Sequence, residues 1–94
     1  MLVERSELII KEGAAEEFQS MMRAEGLPLL RAVAGANVVQ FGRGVENPRK
    51  FILLIEWEAM DAHTAFTQHV SFPKFIELLT PYNESGVMEH FVME

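Results

Sequence analysis

Histidine, tryptophan and tyrosine are scarce in this chain, so His63, His69, His90, Trp57 and Tyr82 carry most of its capacity for chemistry. His63 and Phe66 lie three residues apart, a spacing that puts both on one face of a helix. An imidazole entering a cavity mouth beside an aromatic ring suits general-base work, because its ordinary pKa lies near neutrality. The structural alternative is a helix-packing histidine bonded to backbone. His69 is rotated about 120° from His63 on a helix and sits near its C-terminus, where the dipole favours a cation. His90 falls on a last strand, either in a pocket or at a subunit interface. No His-x-x-x-His spacing links the three, so no metal site is expected.

Trp57 ends the most apolar stretch of the chain, Phe51-Ile-Leu-Leu-Ile-Glu-Trp57. It either stacks on a planar ligand or plugs the core, and when buried its indole N–H needs an acceptor. Leu53 shares its strand face, four residues earlier. Tyr82, after Pro81, either offers its phenol to a ligand or seals the end of the core. Arg43, Arg49 and Lys50 form a basic spot that receives an acidic group or lines a solvated hairpin rim. Glu56 and Glu58 fall on the strand phase opposite Trp57 and mark the end of burial.

The elements that must position these residues follow from periodicity. Met1 to Lys11 reads as a strand whose middle, Glu4-Arg5-Ser6-Glu7, is polar in both phases; one face therefore borders water, a cavity or a partner, or the strand is a frayed edge. Gly13 breaks it. Ala14, Phe18, Met21, Met22 and Glu25 then repeat at helical spacing, with an interruption at Gly26 and Pro28 and an end at Gly35. Ala36 to Arg43 is a second strand, and Phe51 to Glu58 a third. Met60 to Gln68 is a short helix with Asp61 in its first turn, and Ser71 caps another that stops at Thr80-Pro81. Glu84 to Glu94 alternates as a last strand.

The order β-α-β-β-α-β, with its second helix broken in two, predicts an α+β, ferredoxin-like fold: one domain over residues 1–94, with a four-stranded antiparallel sheet and helices on one face. The third strand is apolar on both faces, and leaving a row of such side chains in water would forfeit roughly 1.5–3 kcal/mol for each. A chain of 94 residues has no second sheet to spare, so a homodimer packed sheet face to sheet face is expected.

Composition narrows the partners. A formal charge of −6 disfavours nucleic acid and anionic membrane surfaces. Cysteine is absent, which excludes disulfides, thiolate metal sites and a thiol nucleophile. No apolar run approaches the ~20 residues of a membrane span, and no export leader is visible, so a cytoplasmic domain is expected.

Ile55-Glu56-Trp57, Asp61-Ala62-His63, Phe66 and Phe72-Pro73-Lys74-Phe75, with Lys11-Glu12-Gly13 ahead of Phe18, resemble the antibiotic biosynthesis monooxygenase family. The resemblance implies a dimeric α+β barrel around a cavity. The family includes cofactor-free monooxygenases acting on quinol-like aromatics, haem-degrading enzymes and a small isomerase. Haem degradation is disfavoured: the branch's pocket Trp, iron-ligating His and first-strand Asn correspond here to Phe66, Ile76 and Ser6. The cofactor-free branch carries a strand Trp, matched by Trp57, and an Asn four residues earlier, where this chain has Leu53. The resemblance thus implies a small hydrophobic, quinol-like or aromatic substrate bound by Leu53, Trp57 and Phe66, to which the phenol of Tyr82 adds a further candidate. His63 and Trp57 are the catalytic candidates, and neither cofactor nor metal is expected. The alternative is a non-catalytic, small-molecule-binding or stress-associated dimer of the same fold.

Overall fold

A computed structural model describes residues 1–94 as a single four-stranded antiparallel sheet with helices on one face. The strands are β1 (Leu2–Ile10), β2 (Ala36–Arg43), β3 (Lys50–Trp57) and β4 (Asn83–Val92). The helices are α1 (Ala15–Met21), α2 (Leu27–Arg31), α3 (Met60–Thr67) and α4 (Ser71–Leu79), giving the ferredoxin-like order β-α-β-β-α-β. Sheet order is β2-β3-β1-β4, with β1 and β3 interior. No helix is long and apolar enough to cross a membrane.

Alternation along β1 and β3 sorts their side chains cleanly. Glu4, Ser6, Leu8 and Ile10 are buried on the helix-covered face, as are Phe51, Leu53, Ile55 and Trp57 of β3. The opposite phase, including Ile52, Leu54, Val3 and Ile9, is half-buried in the single chain. On β4, Val87 and Phe91 are exposed.

Between α1 and α2 the chain makes one π-turn, Met22–Gly26. The extra residue moves the buried stripe on by one position: Met21 and Met22 are followed inward by Gly26 and Leu27, and Glu25 faces water instead of continuing the stripe. A Cβ at Gly26 would lie 2.5 Å from the Met22 Sδ, so a larger residue there would have to displace the end of that flexible side chain. Pro28 follows directly after the π-turn, at the start of α2, and donates no N–H to the turn before it. Gly35 adopts φ +83° and turns the chain into β2, with a Cβ position only 2.5 Å from Ala62.

The inner face has two distinct ends. At the Ile10 end, Phe18 meets Phe51 edge-on at 4.9 Å and Tyr82 at 5.9 Å, and Phe41 stacks on Phe51 at 5.3 Å. At the Glu4 end lie Trp57, His63, Phe66 and His90. The fully buried core residues Phe18, Met22, Leu30, Phe51 and Ile10 hold the helices on the sheet.

One cap differs from expectation. Ser71 lies inside α4, and its N–H and hydroxyl are bonded by His69 Nδ1 at 3.1 and 2.8 Å. His69 therefore bonds the start of α4, through its Nδ1 and the Ser71 N–H.

Candidate functional site

Strand pairing assembles the site. Glu4 lies directly across from His90 on β4 and from Ile55 on β3, so Trp57, two residues along, reaches it diagonally on the same face. The Trp57 indole N–H donates to Glu4 Oε1 at 3.0 Å, and the Ser6 hydroxyl donates to Glu4 Oε2 at 2.9 Å. Both carboxylate oxygens are thereby satisfied at a residue only 6% exposed, where an unpaired charge would be costly.

Helix α3 brings the base. His63 Nε2 stands 3.4 Å from Glu4 Oε1, and its ring lies edge-on to Trp57 at 5.4 Å. His90 completes the group, with Nε2 3.7 Å from the same oxygen and its ring 4.3 Å from that of His63. Burial pulls the His63 pKa below its ordinary 6.5; Glu4 opposes that shift and His90 adds to it. A neutral imidazole beside a buried carboxylate is equipped to accept a proton transiently: burial favours giving it up again, and Glu4 offsets part of the cost of the cation.

A cavity of about 340 Å³ opens over this group. Glu4, Ser6 and His63 line its polar side, Leu53, Ile55, Phe66 and Phe75 its apolar wall, and Asn83 lies further along the lining. The Asn83 side-chain oxygen is buried with no hydrogen-bond partner. Such a space, mostly apolar with a few convergent polar groups, suits a small hydrophobic molecule.

Of the residues singled out by sequence, Leu53, Phe66 and His63 line the cavity. Trp57 is 3% exposed and lies behind Glu4, where its N–H is already engaged, so it does not present its ring to the cavity. Tyr82 lies at the opposite end of the sheet, against Phe18, because Lys11 N–H bonds its carbonyl where β1 has ended. It does not line the cavity. The basic spot is a rim: Arg43 bonds Glu16 and the Pro48 carbonyl, each at 2.7 Å, and Arg49 bonds Glu84 at 2.9 Å. The sequence does not single out Glu4 or Ser6, and it leaves His90 between a pocket and a subunit interface. The polar interruption in the first strand was their signal, but only the register shows which phase faces inward. The expectation of no metal site, drawn from histidine spacing along the chain, misses that β1, α3 and β4 bring Glu4, His63 and His90 together.

The comparisons agree with this architecture. The sequence pattern of the family described as "Antibiotic biosynthesis monooxygenase" matches residues 1–78. The uncharacterized protein YczJ of Bacillus subtilis is 30% identical over 93 residues, covering 97% of each chain. A solved Bordetella bronchiseptica protein carrying the family's name superposes with a TM-score of 0.87 at 23% identity, covering 99% of this chain and 96% of its own. A Deinococcus radiodurans protein, also carrying it, superposes with a TM-score of 0.84 at 12% identity, covering 100% and 93%. At such identities the structural likeness is one of fold, whereas the matched pattern spans most of the sequence. The chain belongs to the antibiotic biosynthesis monooxygenase family.

Proposed function

We propose that this protein is a cofactor-independent monooxygenase for a small hydrophobic, quinol-like or aromatic compound, with His63 as the proton acceptor. The observation that carries this reading is the buried His63–Glu4 pair opening onto an apolar cavity of about 340 Å³. An electron-rich substrate held against Leu53 and Phe66 would give a hydroxyl or activated C–H proton to His63. The anion left behind is the reductant: it transfers an electron to O₂, and the two radicals combine to a carbon-bound peroxide. The peroxide takes the proton back from His63 and loses water, so one oxygen atom stays in a quinone-type product and the other leaves as H₂O. Glu4 stabilises the imidazolium between these steps, and Trp57 and Ser6 hold the carboxylate in place. Trp57 acts here through Glu4, as a positioning residue.

The half-buried open face, with Ile52 and Leu54 at its centre and Val87 and Phe91 on β4, supports a homodimer packed sheet against sheet. Leu53 favours a second reading. An apolar wall where the cofactor-free branch has an amide cannot hold a substrate carbonyl or a peroxide, as a non-catalytic binding module of the same fold would not need to.

Incubation with a panel of anthrones and hydroquinones, aerobically and anaerobically and with a chelator present throughout, separates the two. Oxygen-dependent formation, above the uncatalysed rate, of a product carrying one atom of labelled O₂ supports the enzyme. Saturable binding with no turnover in either atmosphere supports the binding module and contradicts the monooxygenase.

A further inference from the structure

We propose that Glu4, His63 and His90 form a binding site for one first-row divalent cation, of which Zn²⁺ is the natural probe. The donors come from β1, α3 and β4, and their ligand atoms all lie within 4.8 Å of one another. Two ligands on one tetrahedral zinc, each bound at about 2.0–2.1 Å, stand about 3.3 Å apart. Glu4 Oε1 and His63 Nε2, at 3.4 Å, are already at that spacing. Glu4 Oε1 and His90 Nε2, at 3.7 Å, need to close by a few tenths of an ångström. His90 is carried by the edge strand β4, whose neighbouring side chains are exposed, so its ring has room to make that adjustment.

Further observations favour a cation over a group assembled for packing alone. His90 Nε2 is buried with no hydrogen-bond partner, although it points toward a carboxylate oxygen. Both oxygens of Glu4 are fixed from behind by Trp57 and Ser6, the kind of outer support that orients metal-binding carboxylates. In the form that ligates a metal, two neutral imidazoles and one carboxylate, the group carries a single negative charge, which a dication more than balances. That donor set, nitrogen twice and oxygen once, is well suited to Zn²⁺, Co²⁺ and Fe²⁺ and poorly suited to Mg²⁺ or Ca²⁺. Glu4 and His63 also line the cavity, so the remaining coordination position would open toward any molecule bound there.

A cation on His63 Nε2 leaves the ring's one proton on Nδ1 and no lone pair to accept another, so this occupancy and the proton acceptance of the reading above exclude each other. The site stands or falls independently of that reading, because it is tested without substrate. Chelator-treated protein is titrated with Zn²⁺ alone by calorimetry and with Co²⁺ by visible absorption. Expected are one cation per chain and the intense d–d bands of a low-symmetry cobalt site. Both should be lost in His90→Ala and weakened at least about tenfold in Glu4→Gln. Because His90 lies on an edge strand, His90→Ala should melt with the wild type in chelator, which separates lost ligation from lost folding. Absence of stoichiometric uptake overturns the proposal, as does uptake unchanged in both His90→Ala and His63→Ala, which would place the cation elsewhere on the acidic surface. Oxygen-dependent turnover that persists while calorimetry finds no uptake overturns the cation site alone. Turnover abolished by chelator and restored by Zn²⁺ supports the site and contradicts the cofactor-free reading.

Discussion

Trp57 gives its one polar hydrogen to Glu4 across 3.0 Å, joining residues 53 positions apart at the buried end of two neighbouring strands. The bond makes a testable claim about stability. Trp57→Phe leaves the carboxylate short of a donor, and a buried polar group so orphaned costs about 1–3 kcal/mol. Glu4→Leu combined with Trp57→Phe removes both partners and should cost less than the sum of the single changes. Urea unfolding of the four proteins measures the coupling, and strictly additive losses would mean that the bond contributes nothing.

His63 makes stability depend on pH in a predictable direction. Its folded pKa lies below 6.5, mainly through burial, with Glu4 opposing and His90 reinforcing. Above 6.5 the folded and unfolded chains are both neutral at this residue and it adds no pH dependence. As pH falls through 6.5 the unfolded chain binds a proton that the folded chain refuses, so stability declines until the lower folded pKa is reached and then levels off. In chelator, thermal melts of wild type across this range should show that decline, and His63→Gln should flatten it. The acid limb of kcat/KM for an oxygen-dependent reaction should likewise fall below 6.5.

Leu53 is 3% exposed and forms part of the apolar cavity wall. Leu53→Ala should destabilise by about 2–3 kcal/mol, the low end for such truncations, because part of the side chain already borders empty space. Calorimetric unfolding checks the loss. Bulkier aromatic ligands should bind the variant better than the wild type, and a uniform loss of affinity for all ligands would show that the wall is not what limits their size.

The open sheet face carries the dimer proposal. Leu54 lies across from Arg5 on β1 and Gln40 on β2, at the middle of that face. Leu54→Lys would place a second cation beside Arg5 and should convert a dimer to a monomer in sedimentation at micromolar concentration, with the helices intact by circular dichroism. A wild type that sediments as a monomer, or a variant that still dimerises, contradicts sheet-to-sheet packing.

Element order was legible in the sequence because β-branched and apolar runs mark the strands, helical spacing marks the helices, and each break has a residue that causes it: Gly13 after β1, Gly35 before β2, and Asn47 and Pro48 before β3. The π-turn was not, since one inserted residue leaves the composition of a helix unchanged and only shifts Glu25 outward and Leu27 inward. His63, Phe66 and Leu53 could be found from helical spacing and from the resemblance. Glu4 and His90 could not be paired, because the β1–β4 register that sets them opposite is a long-range fact absent from local pattern. Tyr82 reads from the sequence as a ligand contact or as a seal of the core's end; its place beside Phe18, set by where β1 ends, is the second.

The direct test of the account is the rate of oxygen-dependent anthrone oxidation by chelator-treated wild type and His63→Ala, with folding of the variant verified by its melt. The account predicts a loss of about 10²–10⁴-fold in kcat, the usual worth of a positioned general base. A folded His63→Ala protein that oxidises the anthrone at the wild-type rate would contradict it.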